Sequence, residues 1–274
     1  MKELKLISWN VNGIRALVRK GKEKELLKGV GFYSWVKTES PDIICLQETK
    51  AHPEQVPDEL LNLEGYHSIW SAAERKGYSG VVTYTKEKPI STTTELGKNH
   101  LDIEGRHVIT EYPNFVLINS YFPNGKKNQE RLDYKMEYYK VFLKYIEDLR
   151  KKGKSIIFCG DVNTAHKPID LTHPKGNEKI SGFLPIEREW IDEVIENGYI
   201  DTFRHLYPDK KEVYTWWSIR SISADGKNAR DRNVGWRLDY FFVSDNIISN
   251  VIDSYMLNDV MGSDHCPVVL KIKF

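Results

Sequence analysis

The chain has 274 residues, and its 40 lysines and arginines against 39 aspartates and glutamates leave a formal net charge of +1. That balance excludes a polybasic tail or an acidic solvating chain as the basis of function, and 40% hydrophobic with 29% charged residues excludes global disorder. Three cysteines, Cys45, Cys159 and Cys266, are too few and too widely spaced for a disulfide framework or a zinc knuckle, and read as buried intracellular thiols.

The charged opening Met1-Lys2-Glu3-Leu4-Lys5 lacks the apolar stretch of a signal peptide. No window approaches the ~20 apolar residues that span a bilayer. Both features predict a soluble, cytoplasmic protein without a membrane partner, nucleoid-associated if the source is prokaryotic.

Short apolar, β-branched or aromatic runs follow in order: Leu4–Trp9, Ile43–Gln47, Ser68–Trp70, Val81–Tyr84, Val108–Tyr112, Phe115–Tyr121, Ser155–Cys159, Leu238–Val243 and Val268–Phe274. Their lengths suit strands, several of them buried on both faces. Pro113-Asn114 splits two of the runs as a hairpin turn would. Between runs, Leu132, Met136, Tyr139, Phe142, Leu143, Ile146 and Leu149 fall at helical spacing, predicting a helix over Glu130–Lys152 that stops at Gly153. A second helix is predicted from Pro185 through Trp190, Ile191, Val194 and Ile195 to Gly198. With no linker-like stretch and no short-period repeat, one domain over residues 1–274 is expected, of α/β or α+β class with mixed sheets.

Polar residues recur at the strand ends. Asn10 and Asn12 follow the first run, Gln47 and Glu48 end the second, Tyr121 ends another, and Asp161 and Asn163 follow Cys159. Asp239 lies inside an apolar run, and Asp264-His265 precedes the last strand. Ligands bind where strand ends converge, so these residues predict one site built from several loops. A lone carboxylate after a strand is usually a turn former or helix cap. Asp239 is harder to explain that way, because a carboxylate within Leu238–Val243 must be paired if buried, and His265 is an economical partner. The oxygen-rich set suits a hard ion, Mg²⁺ or Mn²⁺, rather than Zn²⁺. Such an ion with amides and a histidine suits phosphodiester hydrolysis.

Five stretches, Ser8–Ala16, Leu46–Lys50, Gly160–His166, Val234–Tyr240 and Gly262–Pro267, together resemble the exonuclease III family of apurinic/apyrimidinic (AP) endonucleases, in family order from residue 8 to residue 267. The resemblance implies a four-layer α/β sandwich, two packed mixed sheets flanked by helices as in deoxyribonuclease I. It implies Mg²⁺-dependent cleavage 5′ to an abasic site in double-stranded DNA, leaving a 3′-hydroxyl, with some 3′→5′ exonuclease or 3′-phosphodiesterase activity, by a monomer.

Carried over by position, Glu48 is the main metal ligand, with Asn12 nearby and Asp264 a secondary metal or hydrogen-bonding group. Asp161 orients or deprotonates the attacking water, held by Asn163 and Asn10. His265, oriented by Asp239, and Tyr121 contact the phosphate. Trp216, Trp236 and Leu238 match the wall of the abasic-sugar pocket, although ordinary core packing is the commoner role of such aromatics. DNA contact falls to Arg15, Lys50, Tyr78, Asn124, Lys126, Lys127 and Asn177.

Three features depart from the family pattern. Asn12 stands where many relatives have Asp, and Trp216 where Phe is common. The third lies among the DNA contacts: His173 and Ile180 stand where many relatives carry Asn, and Ser221–Arg232, with Lys227, Arg230 and Arg232, looks like an insertion expected to alter DNA engagement or substrate range. The alternatives are a general deoxyribonuclease I-like phosphodiesterase and a catalytically silent DNA-binding module. A nucleotide-cofactor enzyme is the weakest reading, because Gly29-Val30-Gly31 lacks the third glycine of a dinucleotide fingerprint and no P-loop occurs.

Overall fold

Each apolar run lies in a strand of the computed structural model, which describes residues 2–18, 26 and 30–274. Met1 and Gly29 of the stretches discussed above lie outside the described residues. The strands are β1 (Glu3–Asn10), β2 (Ile43–Gln47), β3 (His67–Ser71), β4 (Val81–Thr85), β5 (Ser91–Thr93), β6 (His107–Glu111), β7 (Val116–Tyr121), β8 (Ile156–Asp161), β9 (Tyr199–Asp201), β10 (Asp239–Ser244), β11 (Val251–Met256) and β12 (Val268–Lys273). Three escaped the pattern reading. β5 and β9 have three residues each, too few for a period-two signal, and β11 is an edge strand in which only Ser254 is fully buried.

The strands form two six-stranded sheets, ordered β11-β12-β1-β2-β4-β3 and β5-β6-β7-β8-β10-β9. Both use the same sequence of pairings: β1 with β2 and β7 with β8 are parallel, and the other neighbours are antiparallel. The predicted hairpin is the antiparallel pair β6–β7.

Alternation along the strands sets the layers. Leu6, Cys45, Leu117, Ile157, Cys159, Phe241 and Leu270 pack together between the sheets. Their neighbours Ile7, Ile44, Leu46 and Val269 point to the opposite face, where Ile14, Phe32, Trp35 and Leu60 from short helices cover them. On the second sheet, Ile118, Phe158 and Phe242 meet Tyr138, Tyr139, Phe142 and Ile146 of the helix Gln129–Lys151 and Trp190, Ile191 and Val194 of the helix Pro185–Glu196. This is the four-layer sandwich expected, and each such large apolar side chain stabilises it by roughly 1.5–3 kcal/mol on burial. All three cysteines are buried and free. Among the described residues, no helix is long and apolar enough to cross a membrane.

Both helices start where local chemistry satisfies their first N–H groups. The Asn128 side chain accepts from Arg131 N at 3.0 Å, and Pro185 occupies the first turn of its helix. Ile195, expected on the apolar face of the second helix, is exposed, because the packed stripe is already filled by Trp190, Ile191 and Val194.

The carboxyl ends of the two parallel pairs meet at one rim. There Gly160, at φ +133°, lies so close to β7 that a Cβ would stand 1.8 Å from the Ser120 carbonyl oxygen. Only glycine permits this approach, and the register it sets places Tyr121 opposite Asp161. Gly160→Ala is therefore expected to lose about 3 kcal/mol or more of stability. Thermal unfolding measures this directly, and an unchanged midpoint would contradict the close approach.

Candidate active site

Asn10, Tyr121 and Asp161 are the last residues of their strands, which fixes them more rigidly than loop positions would. Asn10 ends β1 and is fully buried. Its amide nitrogen donates to Glu48 Oε2 at 3.0 Å and to Asp161 Oδ2 at 2.9 Å, while its Oδ1 accepts from Asn12 N at 3.0 Å. Asp161 ends β8, paired with Tyr121 at the end of β7 and with Asp239 at the start of β10. Asn163 donates to Asp161 twice, from its backbone N at 2.9 Å and from Nδ2 at 3.2 Å, and Asn124 donates to Asn163 Oδ1 at 2.9 Å.

Burial pushes the Asp161 carboxyl up, Asp239 adds to the shift, and the His265 charge with the donors from Asn163 and Asn10 opposes it, leaving the group at about 7. A carboxylate so poised can take a proton at neutral pH. For His265, burial disfavours the cation, but Asp239 and Asp161 outweigh it and raise the imidazole to about 10. His265 Nδ1 lies 2.8 Å from Asp239 Oδ2, and its Nε2 lies 3.9 Å from Asp161 Oδ2. The ring is thus an imidazolium whose Nε2–H faces the cleft. Burial, with Glu48 and Asp161 adding and Arg106 opposing, keeps the Tyr121 phenol protonated.

Asp161, Asp239 and His265 offer ligand atoms within 4.8 Å of one another. Such a group could hold a metal ion, binding of which would displace the His265 proton. Glu48 and Asn12 form a second group of oxygen donors beside it. Lys50 Nζ stands 2.9 Å from Glu48 Oε1 and also donates to Asn12 Oδ1, so both oxygens already face one positive charge. Asp264 completes the acidic side, accepting from Asn12 Nδ2 at 2.8 Å and Trp216 Nε1 at 3.0 Å. Burial raises its pKa, but His265 and those two donors prevail and lower it. Carboxylate and amide oxygens of this kind fit a hard divalent ion.

The backbone here is strained. Asn12, Glu48, Lys50 and Asn163 have φ of 46°, 54°, 51° and 57°, in the left-handed region, which costs non-glycine residues roughly 1 kcal/mol or more each. A zipper between loops holds them, with Gly13 N to Glu48 O at 2.8 Å, Ile14 N to Thr49 O at 3.0 Å, and Lys50 N to Ser79 O at 2.8 Å.

Beside the charged rim lies an apolar wall. Trp216 and Trp236 meet edge to face at 6.3 Å and bond to each other through their backbones. Leu238, Leu171 and Phe183 pack behind them. One cleft is lined by the two indoles, Leu238, Asn124 and Lys126 together with Asn12, Glu48, Tyr121, Asp161, Asn163, Asp264 and His265.

The remaining candidates lie apart. Arg15 is exposed, with Nη2 3.3 Å from Lys50 O, and Lys127 is exposed. Asn177 sits on a short helix and donates to His173 O at 2.9 Å. Tyr78 Oη accepts from Arg106 at 2.9 Å and from Arg131 at 3.0 Å. In the segment Ser221–Arg232, Arg230 is bound to the carbonyls of Ser263, Asn258 and Val260 and lies over Trp217, so it anchors the loop. Lys227 pairs with Asp225 and Arg232 bonds to Ser221.

Several supports were missed because their signal is burial, which no motif displays. Buried Arg106 lies 5.0 Å from the Tyr121 ring centroid and donates to Tyr121 O at 2.9 Å. Thr215 Oγ1 accepts from Leu238 N at 2.9 Å and Asp239 N at 3.1 Å. Lys135, buried against Glu187 at 2.7 Å, donates to Asn163 O at 2.8 Å. Arg237 pairs with Asp170 and Asp201, each at 2.8 Å, and is fully buried between Trp236 and Leu238 in the chain. An arginine inside the apolar stretch Gly235–Val243 was the one legible hint of this set.

Residues 7–265 match the endonuclease/exonuclease/phosphatase family, and the chain belongs to it. Among its relatives, an exodeoxyribonuclease of Bacillus subtilis is 45% identical, covering 98% of this chain and 99% of that protein. The DNA repair nuclease APEX1 of Danio rerio is 42% identical, over 97% of this chain and 81% of the relative. The solved AP endonuclease LMAP from Leishmania major superposes with a TM-score of 0.85 at 31% identity, covering all of this chain and 88% of that one.

The ion pairs of Asp170 make stability depend on pH. Although burial opposes ionisation, Arg237 and Arg204 lower the Asp170 carboxyl to about 2, below its unfolded value. A depressed carboxyl contributes stability that is complete above the unfolded pKa and is lost as pH falls through the folded one. About 2 kcal/mol should therefore disappear between roughly pH 4 and pH 2. Urea unfolding across that range should show the loss, and Asp170→Asn should be less stable at neutral pH and flatter below pH 4.

Proposed function

We propose that this protein is a DNA-repair AP endonuclease that hydrolyses the phosphodiester 5′ to an abasic site in double-stranded DNA and leaves a 3′-hydroxyl. Accompanying 3′→5′ exonuclease or 3′-phosphodiesterase activity and a monomeric state belong to the same reading. The observation that carries it is the junction of two surfaces in one cleft: a charged rim suited to phosphoryl transfer, and a wall made of two indoles and Leu238. An extrahelical sugar that carries no base packs against such a wall with less steric demand than a normal nucleotide.

In this reading Asp161 accepts a proton from water as the water oxygen attacks phosphorus, Asn163 and Asn10 fixing the carboxylate's direction. The bond from phosphorus to the upstream O3′ breaks, and that oxygen leaves, taking a proton from solvent to become the 3′-hydroxyl, while Asp161 returns its proton to solvent. His265 donates from Nε2 to a phosphoryl oxygen as charge develops there, with Asp239 holding the ring. The Tyr121 hydroxyl donates to the same phosphate, its ring held by Arg106. Glu48 and Asn12, with Asp264, would hold Mg²⁺, for which Mn²⁺ substitutes, and the ion supplies Lewis-acid stabilisation of phosphate charge. Asn124, Lys126, Lys127, Arg15, Lys50, Tyr78 and Asn177 are the proposed DNA contacts.

A labelled duplex carrying one tetrahydrofuran abasic analogue tests the proposal. The expected result is a single nick 5′ to the analogue, dependent on Mg²⁺ and abolished by EDTA. Asp161→Asn and His265→Ala should each slow it by about 10²–10⁴-fold. Equal cutting of an undamaged duplex would make the protein a general phosphodiesterase, and binding without cutting would make it a silent module. Separately, Glu48→Gln should weaken Mn²⁺ binding followed by electron paramagnetic resonance without DNA, and unchanged binding would remove Glu48 from the metal site.

A further inference from the structure

Lys126 is the one lysine among the described residues lining the cleft. Its Nζ stands 5.0 Å from the ring centroid of Trp216 and 5.2 Å from that of Trp236. The residue as a whole is exposed, but its amine is folded back against the two indoles of the proposed sugar pocket. Other lysines of the site are committed elsewhere: Lys50 to Glu48, and Lys135 to Glu187. No carboxylate pairs with Lys126 among the described residues.

We propose that Lys126 captures the ring-opened sugar of a natural abasic site as a covalent imine. The inference rests on the abasic-site reading, since it requires that sugar to enter the pocket. Ring opening exposes an aldehyde at C1′, and a primary amine placed where the sugar lodges is its natural nucleophile. The Nζ lone pair adds to the C1′ carbonyl carbon to give a carbinolamine. The carbinolamine hydroxyl then leaves as water, carrying one proton from nitrogen and one from solvent, and a protonated C=N bond remains. No electrons change hands and no co-reactant is consumed; water released in capture returns in hydrolysis, so the adduct is reversible.

Burial of the amine lowers its pKa, Asp161 and Glu187 opposing, and the lowered value enlarges the neutral, nucleophilic fraction. The indole faces hold the ammonium until the sugar displaces it. Capture needs neither Glu48 nor the metal, so it gives the protein a hold on the lesion that does not depend on incision.

The test treats the wild-type protein in EDTA with sodium cyanoborohydride and a duplex bearing a natural abasic site, alongside the tetrahydrofuran duplex, which has no aldehyde. Cyanoborohydride delivers hydride to the imine carbon and fixes the adduct as a secondary amine. The expected result is a denaturant-stable protein–DNA adduct with the natural site alone, mapped to Lys126 by mass spectrometry of the wild-type digest. Lys126→Arg, whose guanidinium stays protonated, should lose the adduct. Mapping to Lys127, Lys50 or another amine, or persistence of the adduct in Lys126→Arg, would overturn the assignment. Wild-type protein that nicks the tetrahydrofuran duplex with Mg²⁺ yet gives no adduct would overturn imine capture and leave the endonuclease reading standing. Protein that neither nicks nor forms an adduct would overturn both.

Discussion

One amide nitrogen holds together two carboxylates that belong to different sheets. Glu48 follows a strand of the first sheet and Asp161 ends a strand of the second, and Asn10 Nδ2 donates to both. The shared donor bonds to each carboxylate and so fixes how the two stand relative to each other. Deeper in the interface, Gln47 and Asn119 repeat the device, joined at 2.8 Å across the sheets. The rim geometry is therefore a property of how the two sheets are stacked, more than of any one loop.

Much of the remaining structure opposes the strain concentrated at that rim. Four site residues occupy left-handed backbone, and the loop zipper from Gly13 to Ser79 holds three of them while Lys135 clamps the carbonyl of Asn163. Buried ionic groups would be poor evidence for stability in general, since removing them with apolar replacements is often neutral. Here two of them bond directly to cleft residues: Arg106 donates to the Tyr121 carbonyl and lies over its ring, and Lys135 donates to the carbonyl of Asn163.

The sheet core was legible because strands buried on both faces leave continuous apolar runs, as Ile43–Leu46 and Ile156–Cys159 do. Site residues were legible for a related reason: Asn10, Tyr121 and Asp161 are polar residues that terminate such runs, and the family motifs name the rest. Three edge strands were not legible: β5 and β9 are too short to show a period, and β11 buries too little to need an apolar pattern. Supports such as Thr215, Arg106 and Lys135 were equally hidden. Their roles depend on partners 23, 15 and 28 residues away in the chain, and an isolated Thr, Arg or Lys looks the same whether it is buried or solvated. Arg230 is a further case in which the sequence does not show the partners, since it gives its donors to three backbone carbonyls.

The ammonium of Lys50 has a consequence for how the acidic seat is loaded. In the proposed metal site, a divalent ion between Glu48 and Asn12 would not enter an uncompensated anionic hole; it would exchange with a cation the chain supplies itself. Its affinity would then be a difference between two occupancies, smaller than the bare donor set would give. The displaced ammonium would become a positive charge released at the cleft. A nearby phosphate would stabilise that charge, so cation loading and anion docking reinforce each other through one residue, and by reciprocity each tightens the other equally.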